Sequence, residues 1–109
     1  MTKICTTIEQ SKKLIELGLS RETSDMFYWC GTDLRIGGYK AQDKDTDISA
    51  WSLSALLELM SPIDNLKPMI DLEGNSIYYS GHDAPCTEGS TLMDAAFEMI
   101  CWLLENKKL

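Results

Sequence analysis

The chain has 109 residues, one domain's length, enough for a single core that buries roughly two thirds of the unfolded surface. Hydrophobic residues make up 44% and charged residues 25%, a globular balance that argues against disorder and against a fibrous repeat. Ten basic and 17 acidic residues give a net charge of −7. That is the wrong sign for neutralising a phosphate backbone, so direct nucleic-acid binding is disfavoured.

Thr6-Thr7-Ile8-Glu9-Gln10 opens the first helix. Thr6 with Glu9, or Thr7 with Gln10, has the spacing of a capping box. Ile8, Leu14, Ile15 and Leu19 gather on one side, with Glu9, Lys13 and Glu16 opposite. Gly18 suits the left-handed residue that ends a helix and folds Leu19 back onto Leu14. The pattern predicts a helix over 7–17.

Met26-Phe27-Tyr28-Trp29-Cys30 is short and aromatic and reads as a buried strand. Gly31-Thr32-Asp33 is a turn signal, and Leu34-Arg35-Ile36 alternates, which predicts a hairpin. Gly37-Gly38 marks a bulge or the strand's end. After a polar loop over 41–47, a helix is expected over 50–60, capped by Asp47 or Ser49 and stopped by Ser61-Pro62. Its polar stripe (Ser54, Glu58, Ser61) is narrow, which suits a helix central in the core or shared with a partner.

A second hairpin is predicted from 68–72 and 76–80 around Glu73-Gly74-Asn75, followed by a loop over 81–89. The last helix starts at Ser90 or Thr91 and runs to about Asn106. Asp94, Glu98, Cys101 and Glu105 form its polar stripe. The order α-ββ-α-ββ-α predicts a single globular α+β domain over 1–109, an antiparallel sheet with helices packed on one face. Leu14-Ile15-Glu16-Leu17 and Leu56-Leu57-Glu58-Leu59 raise an internal duplication, against the simpler reading that amphipathic helices resemble one another. Two very apolar helices exceed what one face of a small sheet covers, so a homodimer is expected.

The charge is uneven. Residues 1–40 carry six bases and five acids, and residues 41–109 carry four bases and twelve acids. The four cysteines (Cys5, Cys30, Cys86, Cys101) form no CxxC pair. Residues 1–7 contain no apolar secretory core, and the longest apolar-rich stretch, 92–104, is interrupted by Asp94 and Glu98. The expectation is a reduced, cytoplasmic protein with free thiols and no membrane contact.

The single histidine, His82, lies in Ser80-Gly81-His82-Asp83-Ala84-Pro85-Cys86. A thiol nucleophile at Cys30 or Cys86, with His82 as base and Asp83 as orienter, is the candidate catalytic set. Against it, a residue adjacent in sequence rarely orients its neighbour's ring, and a surface histidine near a half-buried thiol is the plainer reading. A closed zinc site needs four ligands, and Cys30 and Cys5 add no paired spacing, so no metal and no cofactor is expected. Asp43, Asp45 and Asp47 alternate as at the start of a calcium loop, but Ile48 and Ser54 stand where that loop needs Gly and Glu. Trp51, Tyr78, Tyr79 and Trp102 are the candidates for a partner-binding surface, with core packing as the alternative.

Three stretches carry a resemblance: residues 5–14 (CTTIEQSKKL), 51–57 (WSLSALL), and 95–99 (AAFEM) with 101–104 (CWLL). Together they resemble short proteins of Bacteroides-type gut bacteria and of their phages and mobile elements, a group with no assigned activity. The resemblance implies a genomic setting and no particular chemistry. The expected function is a small non-catalytic protein-interaction or regulatory module with an unidentified protein partner. The alternatives are a small thiol enzyme using Cys30 or Cys86 with His82, and an acidic decoy of a basic nucleic-acid-binding protein.

Overall fold

The computed structural model describes residues 4–60, 62, 66–81 and 84–109. Its elements are α1 (Ile8–Glu16), β1 (Met26–Trp29), β2 (Asp33–Ile36), β3 (Ile48–Ala50), α2 (Leu53–Leu59), β4 (Pro68–Asp71), β5 (Ser76–Tyr79), β6 (Cys86–Glu88) and α3 (Leu92–Glu105). Short 3-10 turns lie at Arg21–Thr23 and Tyr39–Ala41. The fold is α+β, with helices alternating with strands as expected. Each expected hairpin has gained a third strand, so there are two antiparallel sheets, ordered β2-β1-β3 and β4-β5-β6.

Local chemistry sets both ends of α1. The capping box is the Thr7–Gln10 pair: Gln10 N donates to Thr7 Oγ1 at 3.1 Å, and Thr7 N donates to Gln10 Oε1 at 3.0 Å. At the other end Gly18 has φ +103°, and Leu19 N donates back to Leu14 O at 3.0 Å. That reversal buries Leu14 and Leu19 in the same core cluster.

β1 and β2 pair from Met26↔Ile36 to Trp29↔Asp33. Cys30 and Gly31, both with positive φ (51° and 76°), turn the chain between them. The strand stops at Ile36, and a Cβ on Gly37 would stand 3.0 Å from Phe27 Cε1, so glycine lets the Phe27 ring pack there.

The second helix differs from expectation. Residues 48–50 are a strand, β3, paired with β1 through Met26↔Ala50, Phe27↔Ser49 and Tyr28↔Ile48. Helix α2 starts at Leu53, and its cap is Ser52, whose Oγ accepts from Ala55 N at 3.1 Å. Asp25 braces that cap, accepting from Ser52 N at 2.8 Å and from Ser52 Oγ at 2.5 Å. Asp47 instead accepts the backbone N–H groups of Asp43 and Cys30, each at 2.8 Å. Ser49 joins a buried polar chain. Arg21 Nε donates to Ser49 Oγ, which donates to Gln42 Oε1, while Gln42 Nε2 donates to Ser24 Oγ. Cross-strand pairing with β1 overrides the helical preference of this segment.

Residues 86–88, expected in a loop, form β6 against β5 in the register Ser76↔Glu88 to Tyr78↔Cys86. Thr87 Oγ1 donates to Ala95 O at 2.8 Å and ties this strand to α3. The two sheets are not copies of one unit. The central strand is the first of its three in one sheet and the second in the other, which counts against internal duplication.

The main core joins all three helices to the second sheet, with Leu14, Trp51, Leu56, Ile77, Met99, Ile100 and Leu103 at its centre. α2 and α3 pack on each other, and Leu57, Leu59, Phe97, Trp102 and Leu104 lie half-buried against that core. Contacts within the chain therefore take up much of the apolar excess read from these helices. Cys101, placed by periodicity in the polar stripe of α3, is 6% exposed and belongs to the core. A smaller cluster of Cys5, Met26 and Ala50, with Tyr28 against it, anchors the first sheet. Among the described residues no helix is long and apolar enough to cross a membrane.

Candidate functional site: the open edge of the first sheet

Side chains of the first sheet sort onto two faces by strand alternation. One face carries Met26, Tyr28, Leu34, Ile36, Ile48 and Ala50. Met26 and Ala50 are buried, Tyr28 and Ile48 are half-buried, and Leu34 and Ile36 are exposed. The covering comes from the N-terminal segment and reaches only the β3 side. Tyr28 Oη donates to Thr6 O at 2.7 Å, and Cys5 forms an isolated bridge to Ser52. At 87%, Ile36 is the most exposed large hydrophobic residue among those described.

The backbone phase of β2 follows from one hydrogen bond beyond the strand. Gly37 N donates to Asp25 O at 3.0 Å, one step past the Met26↔Ile36 pair. Antiparallel pairs alternate between bonded and non-bonded, so Phe27↔Arg35 and Trp29↔Asp33 are the bonded pairs. The N–H and C=O groups of Leu34 and Ile36 therefore point away from β1, out of the sheet. The two exposed apolar residues of β2 are the ones that present free backbone groups.

The other sheet edges are covered, short, or one N–H poorer than β2. Beyond β3, Thr6 N donates to Trp51 O at 2.9 Å and Trp51 N donates to Thr6 Oγ1 at 3.1 Å. In the second sheet, Tyr79 N donates to Pro85 O and Gly89 N donates to Asn75 O. That phase leaves Pro68 and Ile70 as the outward residues of β4, and proline has no N–H to offer. β6 is three residues long and packs against α3. β2 has four exposed residues and no proline, and among the described residues no segment covers it, which is what a strand-accepting edge requires.

Charge on the opposite face of β2 is balanced. Asp33 and Arg35 are its charged residues, and the Arg35 guanidinium carbon lies 4.6 Å from the centre of the Trp29 ring. Trp29 is 45% exposed, so this contact holds a flat aromatic surface beside the edge.

The residues singled out from sequence lie elsewhere. Trp51 is fully buried, and its Nε1 donates to Thr23 Oγ1 at 2.9 Å. Tyr79 is 2% exposed. Neither can present a contact surface, because packing across the core has consumed the faces that would meet a partner. Trp102 is half-buried on α3. Tyr78 is half-buried on the outer face of the second sheet, between Met69 and Cys86 in register. Cys30 and Cys86 are both exposed free thiols, one at the β1–β2 turn and the other on β6, so they stand on different sheets. His82 and Asp83 lie outside the described residues, as does Ser61. Asp43, Asp45 and Asp47 do not converge on a cation position. Asp43 Oδ1 accepts from Asp45 N, and both Asp47 oxygens accept backbone N–H groups, which hold its carboxyl below the usual range.

A cleft of about 470 Å³ lies elsewhere, lined by Glu22, Gly38, Tyr39 and Lys40. Arg21 beside it is held by Ser49 Oγ, Lys44 O and Asp47 O, which accounts for its guanidinium within the fold.

Sequence reading missed Leu34, Ile36 and Trp29 as surface residues. The available signal was the Leu34-Arg35-Ile36 alternation ending at Gly37, which sets the strand but not what covers it. Comparison with protein families, curated proteins and solved structures finds no match for this chain.

Proposed function

We propose that the protein is a small, cytoplasmic, non-catalytic interaction module of the phage or mobile-element type its sequence resembles. Its binding element is the β2 edge, which adds a strand from another chain to the first sheet. The observation that carries this reading is the coincidence of exposed apolar side chains and outward backbone groups at Leu34 and Ile36.

The test is capture from the native lysate of a Bacteroides-type host at low and high salt, read by mass spectrometry. The bait is the native chain or the Leu34→Lys/Ile36→Lys variant. Lysine on an edge strand opposes pairing while leaving these exposed positions solvated. Stoichiometric recovery of a protein, the same chain included, by the native bait and its loss with the variant supports the reading. Equal recovery by both baits overturns it, as does recovery of nothing by either from a chain that also fails to associate with itself. Loss at high salt alone with both baits would move the assignment to an acidic decoy.

A further inference from the structure

We infer that the chain taking up the β2 edge is a second copy of this protein, joined strand to strand in one register centred on Leu34. This inference rests on the proposed edge-binding role and names the partner for it.

The register follows from parity and charge. A twofold axis normal to the sheet keeps each face on its own side. Residues facing one another must then come from the same face, which leaves registers centred on a residue. Those centred between two residues would set Leu34 of one strand against a residue of the opposite face, and an outward backbone group against an inward one. Four centred registers overlap the strand. The one centred on Ile36 pairs a single strand residue with its counterpart and sets Arg35 and Leu34 against Gly37 and Gly38, beyond the end of β2, so it forms no ion pair. One centred on Asp33 places two aspartates opposite each other, and one centred on Arg35 places two arginines opposite each other. The register centred on Leu34 places Asp33 of each copy opposite Arg35 of the other, twice, and packs Leu34 on Leu34. Asp33 and Arg35 are bonded to β1, so across the new interface they form non-bonded pairs, the kind that brings side chains closest. Leu34, with its backbone outward, exchanges N–H and C=O with Leu34 of the other copy. Arg35 keeps its place over Trp29 while its guanidinium meets the other copy's carboxylate.

Charge argues for a second copy over a strongly charged partner. Residues 26–36 carry one acid and one base, so the hairpin is neutral while the chain as a whole is −7. A basic protein would find its attraction on the acidic remainder, away from this edge. The product is a continuous sheet ordered β3-β1-β2-β2-β1-β3. One strand pair is a small interface, so the dimer is concentration-dependent.

The experiment is sedimentation velocity from about 10 μM to about 1 mM, the range suited to a single strand pair. The native chain, Asp33→Arg, Arg35→Asp and the double exchange Asp33→Arg/Arg35→Asp are compared, with circular dichroism showing that each is folded. The native mass rises from one chain toward two. Each single reversal sets like charges opposite one another and weakens association about tenfold. The double exchange restores it, since the pairs re-form with their signs swapped. In parallel, the Leu34 amide becomes protected from hydrogen exchange as concentration rises, while the Arg35 amide, already bonded to β1, changes little. A native chain that stays monomeric throughout overturns the inference. So does association that is indifferent to the single reversals, or that the double exchange fails to restore. If the chain is monomeric yet lysate capture still depends on Leu34 and Ile36, the self-pairing falls and the edge-binding role stands. If both fail, both readings fall.

Discussion

The side chain of Gln10 joins two helix N-termini 84 residues apart: its Oε1 accepts from Thr7 N, and its Nε2 donates to Asp94 Oδ1 at 3.0 Å. One amide thus completes the cap of α1 and locks it to the first turn of α3. Gln10→Ala should cost about 1–2 kcal/mol, from a lost cap partner and a lost bond to a carboxylate. Gln10→Glu keeps the acceptor for Thr7 N but turns a second carboxylate toward Asp94. Its deficit should be larger at pH 7 than near pH 4, where protonation restores a donor. Urea denaturation at both values checks this, and equal deficits would contradict the bridge.

Burial separates the core from the proposed edge. Leu56 is fully buried, and Leu56→Ala should lose about 2–5 kcal/mol, transfer and cavity together. Ile36→Ser, at a residue 87% exposed, should stay within about 0.5 kcal/mol in the monomer. Denaturant midpoints at low protein concentration measure both. A large loss at Ile36 would mean that the β2 edge is part of the monomer's core.

Acid should weaken the loop that Asp47 organises. The backbone N–H of Asp43, and after it that of Cys30, hold the folded carboxyl below its ordinary value of 3.8. A depressed folded pKa means that the unfolded chain binds the proton first. The stabilisation is therefore complete above the unfolded value and is lost as pH falls through the folded one. Asp47→Asn can accept one of the two N–H groups, and its own NH₂ faces the other. It should melt lower than the native chain at neutral pH and lose less on going from pH 5 to 3. Parallel melting curves across that range would refute this account.

Thiol labelling should divide the four cysteines into two pairs. Cys30 and Cys86 are exposed, while Cys5 and Cys101 are buried. Burial pushes the Cys5 thiol up, and it pushes Cys101 up to about 11, helped by the charges of Glu98 and Glu105. The thiolate is the reactive form, so at pH 8 a disulfide reagent should titrate Cys30 and Cys86 in the folded protein and the other two only after unfolding. A single rate for all four would contradict this packing.

The limits of α1, both hairpins and the start of α3 were legible because their determinants are local. The Thr7–Gln10 box, the Gly18 reversal and the Thr91 cap that accepts from Asp94 N each act over a few residues. β3 and β6 were not legible. Each is three residues long and exists only through pairing with a strand 8–24 residues away in register. The misassigned aromatics have the same cause. Trp51 and Tyr79 read as large apolar side chains, and whether such a residue faces the core or a partner depends on what packs over it.

Taken alone, the sequence determined the α+β class, the alternating order, and the helix and turn termini, because backbone groups at those points find partners within a few residues. The tertiary structure decided which faces are covered and which edge is open. The N-terminal segment reaches Trp51 and Ser52 and closes the β3 side, while nothing among the described residues crosses β2. Leu34 and Ile36 have the composition of core residues and become surface because long-range packing satisfies the other side of the sheet first.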